Sequence, residues 1–307
     1  MSYFNKFFGI YGDNKFTQIN FLGKKFIIRK NNFKKMSQKE LLYEINSKLD
    51  YLISKEDDYN RLIQENISTA LLHQKTFLPY KNIHQGENIT LVGTGPSINY
   101  FHKPKNMLYI GVNKSYKIEN IDFNYYFIQD YYAAKPYIEE VIEKVNCQKF
   151  FGYTYEFSTK KINRVIPEEL AIKANAKRYR TNWAPVKNIK HIFVQDISTK
   201  PLCCHGSVVF PALQFAFWTN PQKIYLAGCD CTNDGYFDSS KQTEIFNTSN
   251  IKEGYIKLKH FRDIYYPNTE IISINPIGLK GIFKDVYTRS FIEKHPELQK
   301  EDIEIID

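Results

Sequence analysis

Residues 89–98 of this 307-residue chain have the sequence ITLVGTGPSI, and this stretch decides the fold class. Four apolar or β-branched residues lead into the turn Gly93-Thr94-Gly95-Pro96-Ser97. A short apolar run that ends in glycines is typical of a buried strand, and Pro96 with Ser97 can begin a helix whose free N–H groups face an anion. Ile98 stands where the dinucleotide-binding fingerprint has its third glycine, so that fingerprint is absent. The turn therefore indicates a nucleotide-binding site or, in the alternative, a tight connection between strand and helix.

Further apolar runs of strand length alternate with helical patterns along the chain. The predicted strands are MLYIGVN (107–113), YYFIQD (125–130), KFFGY (149–153), HIFVQD (191–196), KIYLAGCD (223–230) and EIISINP (270–276). The predicted helices cover roughly residues 133–145, 207–219 and 253–266. Apolar strands that alternate with helices are typical of a parallel sheet covered on both faces. We therefore predict an α/β fold over residues 86–307, with a Rossmann-like, mostly parallel sheet and helices on both faces.

The N-terminal segment, residues 1–36, is basic and aromatic, and it carries most of the excess charge. Nine basic and two acidic residues lie in residues 1–40, whereas the whole chain has a net charge of +9. The run around Gly23 predicts a small hairpin. Basic residues mixed with aromatic ones favour an anionic membrane surface, where each base contributes about 1 kcal/mol. The alternative is a basic hairpin packed on the rest of the protein, with solvated charges.

Residues 37–85 are predicted to form a helical spacer. Ser37 and Glu40 have the spacing of a capping box, which places the start of a helix there. Apolar residues then follow at alternating spacings of three and four, interrupted by Glu56. This pattern fits a helix packed on its own domain, and it also fits a coiled coil in a homo-oligomer.

Composition excludes several classes of protein. Hydrophobic residues make up 43% and charged residues 24%, which excludes wholesale disorder. The five cysteines include the adjacent pair Cys203 and Cys204, which suits a reducing compartment better than a disulfide framework. No apolar run approaches the roughly 20 residues that span a bilayer. We expect a cytoplasmic protein, either free or peripheral on the inner membrane. We expect no nucleic-acid partner, because the chain beyond the N-terminal segment is nearly neutral.

Polar residues at the ends of the predicted strands are the candidate ligand-binding groups, because ligands bind at the carboxyl ends of parallel strands. Asn113 ends the second strand, and Gln129 with Asp130 ends the third. Amide and carboxylate groups there can bind the hydroxyls of a sugar or nucleoside. Each of them can instead be a cap at the end of its strand. Gly206 and Ser207 begin an apolar helix, so their N–H groups and the Ser207 hydroxyl can meet a second polar group of a ligand.

Metal chemistry has little support in the sequence. The loop after residue 230 contains Asp230, Thr232, Asp234 and Tyr236 in the run DCTNDGY. No D-x-D pair ends a strand, so the sequence does not place at a strand end the two carboxylates that a catalytic divalent cation needs. We therefore predict no metal site and no resident cofactor.

The runs LVGTGPSI, IGVN and GSVVFPALQFAFWTNPQKIYLAGCD occur in the order and spacing found in one enzyme superfamily. Over residues 86–276 the chain resembles bacterial lipooligosaccharide sialyltransferases of glycosyltransferase family 42. It also resembles their relatives, the 6-hydroxymethylpterin pyrophosphokinase-like and motility-accessory-factor domains. The resemblance implies a Rossmann-like domain that transfers sialic acid from CMP-sialic acid to galactose without a metal.

The resemblance also implies roles for particular residues on the donor side. The turn Gly93–Ser97 corresponds to the segment that holds the CMP phosphate and ribose. Asn113 falls at the asparagine that contacts the nucleotide sugar, whereas Asp130 and Thr94 stand where sialyltransferases carry further asparagines. Gly206-Ser207 matches, in reversed order, a serine-glycine pair that holds donor and base.

On the leaving-group side, Thr232 replaces one of the two tyrosines that stabilise the departing phosphate, and Tyr236 corresponds to the other. The sequence departs from the family at the general base. The family histidine would fall near Asn250, and no histidine is there. His205 is the best-placed substitute, with Asp230 and Asp234 as carboxylate candidates, whereas His260 is expected on the surface of a helix.

These features together predict a metal-independent inverting glycosyltransferase. Its expected donor is CMP-sialic acid or a related CMP-linked acid sugar, and its expected acceptor is a glycan in lipooligosaccharide or capsule assembly. Asp130 and Asp230 leave open an ATP- and Mg²⁺-dependent diphosphate transferase, because such chemistry needs carboxylates at strand ends. The absent base leaves open a non-catalytic subunit that binds a sugar or nucleotide.

Overall fold

The structure, a computed structural model, describes residues 8–12, 16–21, 24–29, 38–104, 106–154, 165–182, 192–239, 248–300 and 303–306. The chain divides into two compact units, Met1–Ile63 and Gln64–Asp307. Within the described ranges, no helix combines the length and the apolar character needed to cross a membrane.

The first unit contains a three-stranded antiparallel sheet. Its strands are β1 (Phe8–Gly12), β2 (Phe16–Phe21) and β3 (Lys24–Arg29), in that order. Phe21 pairs with Lys24 in the register of β2 and β3, so the hairpin predicted around Gly23 is confirmed, although Gly23 itself lies outside the described residues. Attachment of this segment to an anionic membrane stays a prediction.

A 40-residue helix, α1 (Gln38–Phe77), follows and confirms the helix predicted from the capping box. Its last turns belong to the second unit, which begins at Gln64. The expected end of the spacer at residue 85 therefore differs from the division in the structure. The reason is burial, because Phe77 is fully buried in the main core and stacks on Phe150 at 5.8 Å between ring centroids.

Polar contacts join the last turns of α1 to an edge region of the large sheet. The guanidinium of Arg180 donates to the carbonyl of Glu65 at 2.9 Å and to the hydroxyls of Ser68 and Thr69 at 2.8 and 2.9 Å. The Thr76 hydroxyl donates to the carbonyl of Arg178 at 2.8 Å. These contacts replace the water that would otherwise solvate both elements, so this end of the helix is part of the folded domain.

The buried side chain of His73 makes a second link between α1 and the sheet. Its Nδ1 lies 2.8 Å from the carbonyl oxygen of Ile197, and its Nε2 lies 2.8 Å from the backbone nitrogen of Arg180. A carbonyl only accepts and a backbone N–H only donates, so the ring is neutral with its proton on Nδ1. Burial lowers the pKa of His73 to about 4.

The second unit contains a ten-stranded sheet in the described residues, and all its neighbouring strands are parallel. The strands are β4 (Asn88–Val92), β5 (Leu108–Val112), β6 (Tyr125–Ile128), β7 (Gln148–Thr154), β8 (Lys177–Asn182), β9 (Leu202–Cys203), β10 (Lys223–Ala227), β11 (Glu270–Ile274), β12 (Lys284–Thr288) and β13 (Glu304–Ile306). Their order is β13-β12-β11-β10-β4-β5-β6-β7-β8-β9. The predicted parallel α/β sheet is therefore confirmed.

Helices cover both faces of this sheet. They are α2 (Tyr131–Ala134), α3 (Ile138–Lys144), α4 (Glu168–Lys173), α5 (Val209–Trp218), α6 (Thr248–Tyr265) and α7 (Arg289–Lys294). Successive strand residues enter different cores: Phe127 packs in the core with α5 and α6, whereas Ile128 packs in the core with α3. This alternation follows from the pleat of a strand, and it explains why both faces of the strands are apolar.

The strand predicted at 191–196 is wrong, since none of the described residues 192–196 is in a strand. Ile192 and Phe193 are buried without a strand partner, and the N–H of Val194 donates to the side-chain oxygen of Gln214 at 3.2 Å. The parallel partner of β7 is instead β8, whose sequence KRYRTN is too charged to match a buried-strand pattern. The edge strands β9 and β13 and the strand β12 beside β13 were also not predicted.

We predict that His73 makes the stability of the second unit depend on pH. The unfolded histidine binds a proton below its ordinary pKa of about 6.5, whereas the folded one stays neutral to about pH 4. Stability therefore falls as the pH decreases through this window, by about 3 kcal/mol in total. The measurement is the free energy of urea unfolding at several pH values for the wild type and for His73→Gln.

The variant should have a lower stability at pH 7 and a flatter pH dependence than the wild type. His260→Gln is the matched control, because His260 lies exposed on α6. Parallel pH profiles for the wild type and His73→Gln would contradict this role of His73.

Candidate functional site

The strand order reverses between β4 and β10. From β4 the chain continues through β5 to β9 on one side, and it then returns to the other side of β4 for β10 to β13. The connections after β4 and β10 therefore lead away from each other, and in open parallel sheets a ligand crevice is expected at the carboxyl ends of two such strands. The turn Gly93–Ser97 and the loop Gly228–Ser239 are the segments that follow these strands.

The two glycines of the turn allow the loop after β10 to pack against it. A Cβ on Gly95 would lie 2.5 Å from Cγ of Asp230, and a Cβ on Gly93 would collide with the carbonyl of Gly228. The N–H of Gly95 donates to that same carbonyl at 2.8 Å. The space that the sequence suggested for a ligand is thus taken, at these two positions, by the protein's own loop.

Asp230 holds the turn after β4 in place. Its carboxylate accepts hydrogen bonds from the Ser97 N–H at 2.8 Å and from the Ser97 hydroxyl, and the residue is 4% exposed. Burial raises the pKa of Asp230, and the two bonds from Ser97 oppose this rise. Since both carboxylate oxygens are occupied, Asp230 acts here as a positioning residue, and the geometry does not support the role of base or Mg²⁺ ligand considered for it.

The loop after β10 is also attached to the turn at its far end. The N–H of Phe237 donates to the carbonyl of Thr94 at 3.0 Å, and the Asn99 side chain donates to the carbonyl of Phe237 at 3.1 Å. Between these attachments and Asp230 lie Thr232 and Tyr236, the predicted leaving-group residues. Their part of the loop is therefore held beside the glycine turn, as the sequence predicted.

Asn113 lies at the end of the neighbouring strand β5, with a left-handed backbone at φ +52°. Its carbonyl accepts from the Tyr126 hydroxyl at 2.8 Å. Asparagine tolerates this backbone better than most residues, which is one structural reason for its presence. No described residue forms a hydrogen bond with its side-chain amide, which is half-buried and available to a ligand.

The two predicted groups at the end of β6 point in different directions. The Asp130 carboxylate accepts from the Tyr132 N–H at 2.9 Å and caps α2, which is the structural alternative considered above. The Gln129 side chain lies near the thiol of Cys204, next to β9, and its buried Oε1 has no hydrogen-bond partner among the described residues. Burial raises the pKa of Tyr137, and the nearby Tyr236 and Asp130 raise it further. Asp130 therefore lies near Tyr137, whereas Gln129 lies near Cys204.

The segment His205–Ser207 connects β9 to α5. The Ser207 N–H donates to the carbonyl of Cys204 at 2.7 Å, and the Ser207 hydroxyl accepts from Val209 at 3.3 Å. This N–H is therefore used within the turn, contrary to the expectation that it would meet a ligand. Gly206 has φ +82° and provides the tight backbone that the turn requires.

His205 reaches the first turn of α6. Its Nε2 lies 3.0 Å from the carbonyl of Asn250, and a Cβ on Gly254 would lie 2.6 Å from its ring. The residue is 4% exposed and has φ +37°, a strained backbone for histidine. The His205 imidazole therefore packs against the first turn of α6, and its role as a base stays a prediction.

One residue of the site was not predicted. Lys114 directly follows Asn113, and its Nζ lies 5.3 Å from the centre of the Tyr236 ring. The only sequence signal was its place beside a strand-end asparagine. The described residues contain no group of three or more histidines, cysteines, aspartates or glutamates that could hold a metal ion.

No protein-family model matches the chain, and no curated protein matches it significantly. Among solved structures, the chain is similar to the MAf glycosyltransferase from Magnetospirillum magneticum AMB-1, with a TM-score of 0.42 and 13% identity over 76% of this chain and 41% of that one. It is also similar to the sialyltransferase CstII from Campylobacter jejuni in complex with a substrate analogue, cytidine-5'-monophosphate. That comparison has a TM-score of 0.35 and 11% identity, and it covers 62% of this chain and 80% of that one. This chain thus spans less than half of the first protein. Likeness at this level does not identify a reaction.

We predict that Asp230→Ala destabilises the second unit by about 1–3 kcal/mol, because it leaves the buried donors of Ser97 without an acceptor. Asp230→Asn should lose less, since its amide can accept from the Ser97 N–H and donate to the hydroxyl. Asp234→Ala, at an exposed position of the same loop, should change stability by no more than about 0.5 kcal/mol. Urea unfolding measures all three, and equal losses for Asp230→Ala and Asp234→Ala would contradict the assignment.

Proposed function

We propose that this chain is a glycosyltransferase that binds a nucleotide-activated sugar in the crevice between the loops after β4, β5 and β10. The observation that carries the proposal is the meeting of these loops at the reversal of strand order: Asp230 contacts Gly95 and Ser97, and Lys114 contacts Tyr236. Crevices at this position in parallel sheets are the usual place for nucleotide ligands. The groups that border it are hydroxyls, an amide and an ammonium, which suit phosphate and sugar oxygens.

A CMP-linked acid sugar is the donor that fits these groups best. CMP as a leaving group carries a single phosphate, and hydroxyl donors such as Thr232 and Tyr236 can stabilise its charge by hydrogen bonding. The Asn113 amide and the Thr94 hydroxyl are suited to the ribose and phosphate. The proposed reaction therefore needs no metal ion, and its acceptor is a glycan hydroxyl of a lipooligosaccharide or capsule.

The proposed reaction inverts the anomeric carbon of the donor sugar. The acceptor oxygen forms a bond to that carbon as the bond from the carbon to the phosphate oxygen breaks. The bonding electron pair stays on the phosphate oxygen, and the proton of the acceptor hydroxyl passes to a general base. Every atom and charge is thus accounted for without an additional reactant.

We assign the general base to His205. A carbonyl oxygen can only accept, so the contact with Asn250 requires the proton on Nε2. In the proposed reaction, Nδ1 is the nitrogen that takes the proton of the acceptor hydroxyl. Asp234, whose position on the loop is exposed, is the alternative base.

A ligand panel tests the proposed function. We expect CMP to raise the melting temperature in the presence of EDTA, and UMP, UDP, GDP and ATP to have smaller effects. A response only to ATP with Mg²⁺ would instead support the diphosphate transferase. No response to any nucleotide would overturn the proposal in favour of a protein that binds something else.

The Asn113 amide is tested in the same assay. Asn113→Gly removes the amide but keeps the left-handed backbone, so the expected loss of CMP affinity is about tenfold, the effect of one hydrogen bond. Asn120→Gly is the matched control, because Asn120 is an exposed asparagine with φ +62°. Equal CMP affinities for the two variants would remove Asn113 from the site.

The base is tested by separating binding from chemistry. His205→Gln should reduce the rate of sugar transfer from the CMP donor by about 10²- to 10⁴-fold and leave CMP affinity unchanged. If Asp234→Asn abolishes transfer and His205→Gln does not, the base is Asp234.

A further inference from the structure

We propose that Lys114 binds the phosphate of the nucleotide donor and supplies the positive charge of the site, an inference that rests on the function proposed above. Lys114 follows β5, which is the neighbour of β4 on the side opposite β10. Tyr236 belongs to the loop after β10, so the contact between Lys114 and Tyr236 passes across the carboxyl end of β4. The ammonium therefore lies beside the loop whose next residue, Phe237, donates to the carbonyl of Thr94 in the turn where the nucleotide is expected.

The backbone around Lys114 is fixed on both sides. The N–H of Val112 donates to the Ser115 hydroxyl at 2.9 Å, and the N–H of Lys117 donates to the carbonyl of Lys114 at 3.1 Å. The Ser115 hydroxyl also contacts the hydroxyl of the buried Tyr126 at 3.1 Å. A long side chain that leaves a fixed backbone loses less entropy when it binds a ligand, so this lysine is partly pre-positioned.

The environment of the ammonium keeps its charge available to an anion. Some lysines in the described part of the chain are paired with carboxylates, for example Lys103 with Asp122 at 3.1 Å and Lys173 with Glu139 at 2.6 Å. Lys114, like Lys117, lies over an aromatic ring, which attracts a cation without neutralising it. The carboxylate at this turn, that of Asp230, is already bound to Ser97.

A lysine in this place meets the electrostatic demand of the proposed reaction. When the bond from the sugar to the phosphate oxygen breaks, the phosphate gains one negative charge. A nearby ammonium stabilises that charge as a point charge and transfers no proton. Lys114 would act together with the Tyr236 hydroxyl, since the two side chains are in contact.

The test compares CMP with cytidine, which lacks the phosphate. For Lys114→Met we expect CMP to bind about ten- to a hundredfold more weakly, the effect of losing one charged contact, with cytidine affinity unchanged. Lys114→Arg should retain most of the CMP affinity, because it keeps the charge. Lys117→Met is the matched control: Lys117 lies over the Tyr116 ring at 5.8 Å in the same turn, and its loss should leave both affinities unchanged.

Isothermal titration of the full chain measures these affinities, and unfolding of each variant without ligand verifies its fold. CMP affinity of Lys114→Met within twofold of the wild type would overturn the inference and leave the proposed function intact. An equal loss of CMP and cytidine affinity would also overturn it, because the effect would then not come from the phosphate. If the wild type binds neither CMP nor another nucleotide, the proposed function fails and the inference fails with it. If Lys114→Met does not fold, the CMP affinity of Lys114→Arg is measured at low and at high salt instead. Equal affinities at the two salt concentrations would decide against a phosphate contact.

Discussion

The hydrogen bonds from Ser97 to the buried carboxylate of Asp230 are the interaction on which the candidate site depends. They join the segments that follow β4 and β10, the two strands between which the strand order reverses. Together with the hydrogen bonds from Gly95 to Gly228 and from Phe237 to Thr94, this link sets the distance between the two connections. Gly95 is part of the same constraint, because a Cβ there would lie 2.5 Å from the carboxylate carbon.

A buried carboxylate is expensive in free energy unless it is hydrogen-bonded, and here its acceptors are occupied by a single residue. Asp230 therefore stabilises the loops and is not itself exposed to the crevice. In the proposed site, the groups that would meet a ligand are those that the loops carry: Thr94, Asn113, Lys114 and Tyr236. Asp230 fixes the loops, and other residues border the proposed crevice. The crevice can therefore be both rigid and polar.

A second polar cluster explains how the long helix joins the folded domain. Arg180 binds three acceptors on the last turns of α1, and His73 bridges the same helix to two backbone groups. The helix thereby brings Phe77 into the main core against Phe150. Because part of the helix is core, the boundary between the two units falls within α1 and not after it.

Much of the fold could be predicted from local pattern. The apolar runs at β4, β5, β6, β7, β10 and β11 were correctly identified as strands, because burial on both faces demands continuous apolar residues. The helices α1, α5 and α6 were found near their true limits. The strand β8 was missed because its half-buried arginines interrupt the apolar pattern expected of a buried strand. Residues 192–196 were wrongly predicted as a strand, because a buried irregular segment is as apolar as a strand.

The candidate site was predictable only in part. The strand ends, the glycine turn and the loop with Thr232 and Tyr236 follow from sequence, since the carboxyl ends of parallel strands must lie at one edge of the sheet. Sequence alone determined which residues could reach that edge. Only the tertiary structure decided that Asp230 binds Ser97, that His205 reaches α6 and that Lys114 meets Tyr236. These contacts join residues far apart in the chain, and their geometry depends on the packing of the whole sheet, which no local pattern records.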